Sequence, residues 1–203
     1  GENVEVKEIL DKAESSIFSI SQGHMTRGFI PIKDTLTESF DRIDELQKNG
    51  GGIRGVQTGF TDLDKLLSGM QKSNLIILAA RPGQGKTALV LNMAQNVAVK
   101  NKQAVGIFSL EMSKEELVDR LLIGQSDVDA WKLKTGRLNE DDFSNISDAM
   151  GQLAEAPIFI DDTPGISITE MRSKARRLQM EHNLSLLIVD YLQLVDPGRK
   201  VES

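Results

Sequence analysis

The sequence contains no cysteine, so it offers neither a disulfide framework nor a thiolate metal site, and a cytoplasmic setting is the expectation. Histidine is nearly absent as well: His24 and His182 stand apart in the chain and read as surface residues, not ligands. Aromatic residues make up only 4%, which leaves few stacking platforms for single-stranded nucleic acid. There is no excess of positive charge. The formal net charge of −6 argues against a surface coated for nucleic acid, while leaving room for a local basic loop. No apolar run approaches the roughly 18 residues that a membrane span requires, and no secretory segment is visible. What is present is ordinary for a soluble globular protein: 203 residues, 39% hydrophobic and 27% charged, room for one domain with or without an appendage.

The chain is organised around residues 75–88. Residues 75–79 are an apolar, β-branched run that predicts a buried strand, and the run ends abruptly in Arg81-Pro82-Gly83-Gln84-Gly85. Lys86-Thr87 then opens a segment with apolar residues at 89, 90, 93, 94 and 97, which is helical spacing. Strand, glycine-rich loop, Lys-Thr and helix together make a P-loop, with Ala80, Arg81, Pro82, Gly83, Gln84, Gly85, Lys86 and Thr87 as the candidate nucleotide-binding residues. Backbone N–H groups at a helix start have no partner within the helix, so they and the helix dipole attract phosphate. Gly83 and Gly85 let the main chain approach it without a Cβ in the way. Lys86 would reach the β- and γ-phosphates of a purine nucleoside triphosphate, and Thr87 would offer its hydroxyl to Mg²⁺. Ala80 stands where the standard pattern has its first glycine, and a small residue can still end the strand tightly. The plain alternative is a strand-to-helix turn with a surface lysine.

In chain order, apolar residues at 6, 9, 10, 13, 17 and 20 predict an amphipathic helix over residues 6–20, whose stripe must be buried on its own domain or on a neighbouring subunit. A flexible stretch to about residue 30 follows. A second helix is predicted over residues 33–48, ended by Gly50-Gly51-Gly52. Thr61 and Asp64 are placed at the N-cap and N3 positions of a short helix reaching Ser68. Residues 104–110 predict a second strand, ending at Glu111, after which Ser113 caps a helix with Leu117, Leu121 and Leu122 inward and Arg120 near its middle. Residues 128–134 look helical. Asn139 caps a further helix, residues 157–162 form a third strand, and Ser167 or Thr169 caps a basic helix with Arg172, Lys174, Arg176 and Arg177.

Residues 184–195 complete the pattern. Four apolar residues run directly into Asp190, the Walker B arrangement in which a buried strand delivers a carboxylate to its C-terminal end, where it can hold the water shell of Mg²⁺. Strands alternating with helices predict a parallel sheet covered on both faces, with ligands at the carboxyl ends of the strands. Phosphoryl transfer to water needs a held nucleotide, neutralised charge and an oriented water. Glu111 is the candidate base for that water, and Asp161 and Asp162 are runners-up that also read as a turn.

At this point the residues resemble a known family. Ala79-Ala80-Arg81-Pro82-Gly83-Gln84-Gly85-Lys86-Thr87, Phe108-Ser109-Leu110-Glu111-Met112-Ser113, Phe159-Ile160-Asp161-Asp162 and Ile188-Val189-Asp190-Tyr191-Leu192-Gln193-Leu194 resemble, in order, the motifs of the DnaB-type bacterial replicative DNA helicases. The likeness takes in Thr58-Gly59-Phe60 and the basic residues from Arg172 to Arg177, and the N-terminal helix resembles the family's linker helix. The resemblance implies an α/β, RecA-like P-loop ATPase with a parallel sheet covered by helices, preceded by an amphipathic linker. On that basis residues 1–30 are expected to be linker helix and connection and residues 31–203 the ATPase domain.

The same resemblance implies a homo-hexamer, joined through linker helices docked on neighbouring subunits, that hydrolyses ATP with Mg²⁺ and moves 5′ to 3′ on single-stranded DNA. Lys86 and Thr87 would serve phosphate and metal, Glu111 would be the catalytic base, Asp190 the Walker B acid, and Arg120 the arginine near the nucleotide; Arg120 as a plain surface residue stays open. Primase and a helicase loader would be partners of the full-length protein. In the family a primase-binding domain precedes the linker, and further strands, DNA-contacting loops and basic finger residues follow the Walker B strand. The domain is therefore expected to be truncated at its C-terminus, the isolated fragment is expected not to unwind DNA, and an unpaired sheet edge is expected to invite self-association. Two other functions fit the P-loop: a RecA-like recombinase or clock-type ATPase that remodels partners, and a scaffold that binds nucleotide only for support.

Overall fold

The computed structural model describes residues 30–48 and 53–196. The chain divides into two compact units, residues 1–52 and 53–203. The helix expected over residues 6–20, and the linker assigned to it, lie outside the described residues. In the first unit, α1 (Ile32–Lys48) is amphipathic as its spacing predicts, and Ile32, Leu36, Phe40 and Ile43 lie on its surface.

Among the described residues, the second unit is built on three parallel strands, β1 (Val105–Ser109), β2 (Ile158–Asp161) and β3 (Leu186–Asp190), in the order β2-β1-β3. The central strand is buried along its whole length. Side chains alternate between faces, so Val105 and Ile107, with Ile158, Ile160, Leu186 and Ile188 of the neighbouring strands, form one face of the sheet. That face packs against Leu91 and Ala94 of α3 (Lys86–Gln95), Val97 and Ala98 of the π-helical turn that prolongs it (Asn96–Lys100), and Leu117 and Leu121 of α4 (Lys114–Ser126). Two short helices precede and follow this layer, α2 (Thr61–Leu67) and α5 (Ala130–Thr135). Then α6 (Glu140–Ala154) adds Leu153 to the core, and α7 (Ile168–His182) covers the opposite face. Gly106 allows that cover: a Cβ there would lie 2.8 Å from Leu178 of α7 and 3.1 Å from Leu187 of β3.

Two expectations are corrected. The strand predicted over residues 75–79 is absent: residues 71–85 carry no helix or strand, and Leu75 and Ile77 are 87% and 80% exposed. An extended segment becomes a strand only when its N–H and C=O groups find a neighbouring strand, and none is paired with it among the described residues. Thr61 is not the cap of α2. Phe60 occupies that position, and the Asp64 carboxylate turns back to accept from the N–H groups of Thr58 and Gly59. The segment after Lys86-Thr87 is helical as its apolar spacing predicts: α3 buries Leu91, Ala94 and Gln95, keeps Leu89, Val90 and Met93 half-buried, and runs into the π-turn at Asn96–Lys100, where Val97 and Ala98 continue the buried face.

Candidate nucleotide site

The N-terminus of α3 is prepared by two glycines. Gly83 and Gly85 have φ of +77° and +82°, a region that side chains rarely adopt, and a Cβ built on either would meet nothing within 4 Å. Glycine is thus required here by backbone conformation; the surrounding space is open, as an approaching ligand needs. Gly85 occupies the N-cap, and no side chain caps the helix. The first N–H groups of α3 therefore remain available to an anion, where the dipole favours negative charge. Before them, exposed Ala80 leads into an exposed turn of Arg81, Pro82, Gly83 and Gln84, closed by the Gln84 N–H donating to the Arg81 carbonyl at 3.2 Å.

Opposite this helix start stands Asp190. Because Leu186, Ile188 and Asp190 alternate onto the face that packs under α3, the last of them is delivered at the strand's end to the first turn of that helix. Lys86 Nζ lies 2.8 Å from Asp190 Oδ1, and the Thr87 hydroxyl donates to Asp190 Oδ2 at 2.7 Å. Both members of the ion pair are largely withdrawn from solvent, with side chains 26% and 13% exposed. Lys86 Nζ also sits 4.4 Å from the centre of the Tyr191 ring, a cation–π contact that the sequence reading did not foresee; its signal was an aromatic residue directly after the strand-end Asp.

The remaining candidates fall around this pair. The Leu110 N–H donates to the Asp190 carbonyl at 2.8 Å, so Glu111, exposed, begins its turn one residue beyond a direct tie to β3. Asp161 and Asp162 point to different elements. Asp161 pairs with Lys174 of α7 at 2.8 Å and accepts the Thr163 N–H at 2.9 Å, whereas Asp162 accepts the Lys114 N–H at the start of α4 at 3.0 Å. Burial pushes the Asp161 carboxyl upward, but the bonds from Lys174 and Thr163 outweigh it and hold it below the ordinary carboxylate range. Lys174, bonded to Asp161 against the opposing effect of desolvation, is raised above its ordinary value. Arg120 is exposed on α4, and no hydrogen bond or ion pair ties it to Lys86 or Asp190. A cavity of about 240 Å³ lies elsewhere, between α7 and the sheet, lined by Phe108, Phe159, Leu178 and Leu187.

A second cluster escaped the sequence reading. Asp64, 3% exposed, accepts from the Thr58 N–H at 2.7 Å, the Thr58 hydroxyl at 2.8 Å and the Gly59 N–H at 3.0 Å, and Asn96 donates to the Thr58 carbonyl at 2.9 Å. The Thr58-Gly59-Phe60 turn is thereby fastened to the far end of the P-loop helix.

Residues 55–203 match the family model described as the DnaB-like helicase C terminal domain. The chain belongs to this family. Among curated DnaB-like relatives, it is 47% identical over 191 residues to the replicative DNA helicase DnaC of Bacillus subtilis (strain 168), covering 94% of this chain and 42% of the relative. It is 46% identical over 200 residues to the replicative DNA helicase DnaB of Geobacillus stearothermophilus, covering 98% of this chain and 44% of the relative. The chain thus spans less than half the length of these helicases. Two solved structures share the fold at 32% identity. One is an ATPase domain, with a TM-score of 0.78 over 88% of this chain and 62% of that one. The other is a DnaB-like replicative helicase described together with its interactions with primase, with a TM-score of 0.77 over 100% of this chain and 48% of that one. These likenesses bear out the α/β, RecA-like reading of the fold.

Proposed function

We propose that the chain is part of the motor of an ATP-driven replicative DNA helicase, which hydrolyses ATP to move 5′ to 3′ on single-stranded DNA and so opens the duplex at the replication fork. The observation that carries this reading is the meeting of Lys86 and Thr87 with Asp190, 2.8 and 2.7 Å apart, at a glycine-preceded helix start with no side-chain cap. Those donors suit a nucleoside triphosphate. The N–H groups of α3 and the Lys86 ammonium would take the phosphate oxygens, and the Thr87 hydroxyl and Asp190 carboxylate would hold Mg²⁺ directly or through water. Mg²⁺ takes most of its ligands from phosphate and water, so one or two protein side chains suffice to hold it. When bound, such an ion supplies positive charge to the phosphate oxygens as the bond to the leaving group breaks.

Glu111 is the residue assigned to orient and deprotonate the attacking water. It is exposed beside the Asp190 strand end, while Asp161 and Asp162 spend their oxygens on Lys174, Thr163 and Lys114. Lys86 leaves Asp190 for the phosphates when nucleotide arrives, exchanging one anionic partner for another. Further cationic charge on the transition state is assigned to finger residues of a neighbouring subunit in a homo-hexamer. Primase and a loader are assigned as partners of the full-length protein in the cytoplasm.

The test is Lys86→Ala in the full-length protein, assayed for ATP hydrolysis with and without single-stranded DNA and for duplex unwinding. Both activities should fall by at least about 100-fold. Retention of unwinding by the variant sinks the motor reading, and hydrolysis indifferent to single-stranded DNA in the parent favours a partner-remodelling ATPase. A polypeptide of residues 1–203 alone is expected to bind nucleotide and to show no unwinding.

A further inference from the structure

We infer that Asp162 is a positioning residue for Glu111, acting through the N-terminus of α4. The carboxylate that ends β2 and the one directly after it are adjacent in sequence and diverge in space. Asp161, paired in register with Phe108, turns to Lys174 on α7, and Asp162, one position on, turns to α4. There its Oδ2 accepts the Lys114 N–H at 3.0 Å, across 48 residues of sequence. Lys114 is the first residue of α4, so this N–H is one of those the helix cannot satisfy itself, at the end where the dipole favours a negative charge. The Ser113 capping box serves two other donors, the Glu116 N–H and the Ser113 N–H, and leaves the Lys114 N–H to Asp162.

The consequence lies in the turn between β1 and α4. It is short, and each of its other ends is tied down: the Leu110 N–H donates to the Asp190 carbonyl at 2.8 Å, and the Ser109 hydroxyl donates to the Met112 carbonyl at 2.6 Å. Glu111 is the exposed residue between these ties. The bond from Asp162 holds the helix into which the turn runs, and so sets how far Glu111 stands from the Asp190 end of β3. Without it, the turn can swing with the first turn of α4 while Lys86, Thr87 and Asp190 keep their geometry. Misplacing a catalytic group by about 1 Å costs rate far more than binding.

The inference rests on the reading of Glu111 as the water-activating carboxylate, and the experiment separates the two. In the full-length protein, DNA-stimulated ATP hydrolysis is measured for Asp162→Ala, Asp162→Asn, Glu111→Gln and the double variant Glu111→Gln/Asp162→Ala. Asp162→Ala should lower kcat about 10- to 100-fold with KM for ATP changed less than about threefold. Asp162→Asn keeps a carbonyl acceptor for the Lys114 N–H and should recover most of the lost rate. Because the effect runs through Glu111, Asp162→Ala should lower the residual rate of Glu111→Gln no further. An unchanged kcat in Asp162→Ala, a loss seen mainly in KM, no recovery in Asp162→Asn, or an additive loss in the double variant each overturns the inference. Full hydrolysis by Glu111→Gln instead overturns the assignment of the base itself.

Discussion

Gly59 has no room for a side chain: its φ is +82°, and a Cβ would fall 2.2 Å from the Asn96 amide nitrogen, within the cluster centred on buried Asp64. Gly59→Ala therefore combines backbone strain with displacement of Asn96 from the Thr58 carbonyl. Chemical denaturation should show a loss of about 2 kcal/mol or more; a loss below about 0.5 kcal/mol contradicts this account. Charge at the residue scale gives a prediction of definite sign. The Asp161 carboxyl lies below its ordinary range in the folded protein, so its contribution to stability is complete above about pH 4 and is lost as pH falls through the depressed folded value. Lys174, raised by the same bond, contributes fully below about pH 10 and loses its share as pH climbs past its elevated value. Thermal melts should show Asp161→Asn less stable than the parent at pH 7, with the gap closing below about pH 4. A gap that stays constant down to about pH 2 contradicts the assignment.

At the scale of elements, caps were the most legible feature. Ser113, Asn139 and Ser167 each accept a backbone N–H three residues on, because their short side chains satisfy a donor that the helix leaves open. Asn139 is the strongest case, since Asp142 returns the bond to the Asn139 N–H at 3.0 Å and is itself tied to Lys132 of α5 at 2.9 Å. Asn139→Ala should lower stability by about 1 kcal/mol, read from denaturant midpoints, whereas Asn139→Asp should cost a few tenths at most. Thr61 looked like the same signal and is not, because Asp64 had a better use for its oxygens inside the Thr58 turn, a tertiary contact invisible to local spacing. The π-turn at Asn96–Lys100 was equally hidden; apolar periodicity reports that a segment is helical, not that one extra residue has been inserted into it. The meeting of Lys86 and Thr87 with Asp190 could be read in advance because strand alternation and the parallel order leave a strand-end carboxylate few places to go. Tyr191 over Lys86, and Asp162 on α4, depend on side-chain directions that no spacing encodes.

For the molecule as a whole, an open sheet edge has a physical consequence. Among the described residues β3 stands at an edge of the sheet, and residues 75–78, the most apolar run near the P-loop, lie exposed without a ladder partner. Unpaired backbone groups beside exposed Leu75 and Ile77 invite pairing with another chain, at a gain of about 25 cal/mol for each Å² of apolar surface withdrawn from water. A polypeptide of residues 1–203 should therefore self-associate in sedimentation experiments with rising concentration, and Ile77→Lys should shift it toward the monomer without weakening nucleotide binding, since residue 77 lies before the turn that leads to Lys86. If instead the lysine variant associates as strongly as the parent, the contact lies elsewhere, and the exposed row Leu36, Phe40 and Ile43 of α1 becomes the next surface to charge. The two surfaces differ in what disruption does to the full-length protein. A lysine within residues 75–78 disturbs the segment that leads into the P-loop and should lower the rate of hydrolysis per subunit while nucleotide still binds. A lysine on α1 should leave that rate per site intact while changing the assembly state, so that hydrolysis and sedimentation measured on the same samples tell the surfaces apart.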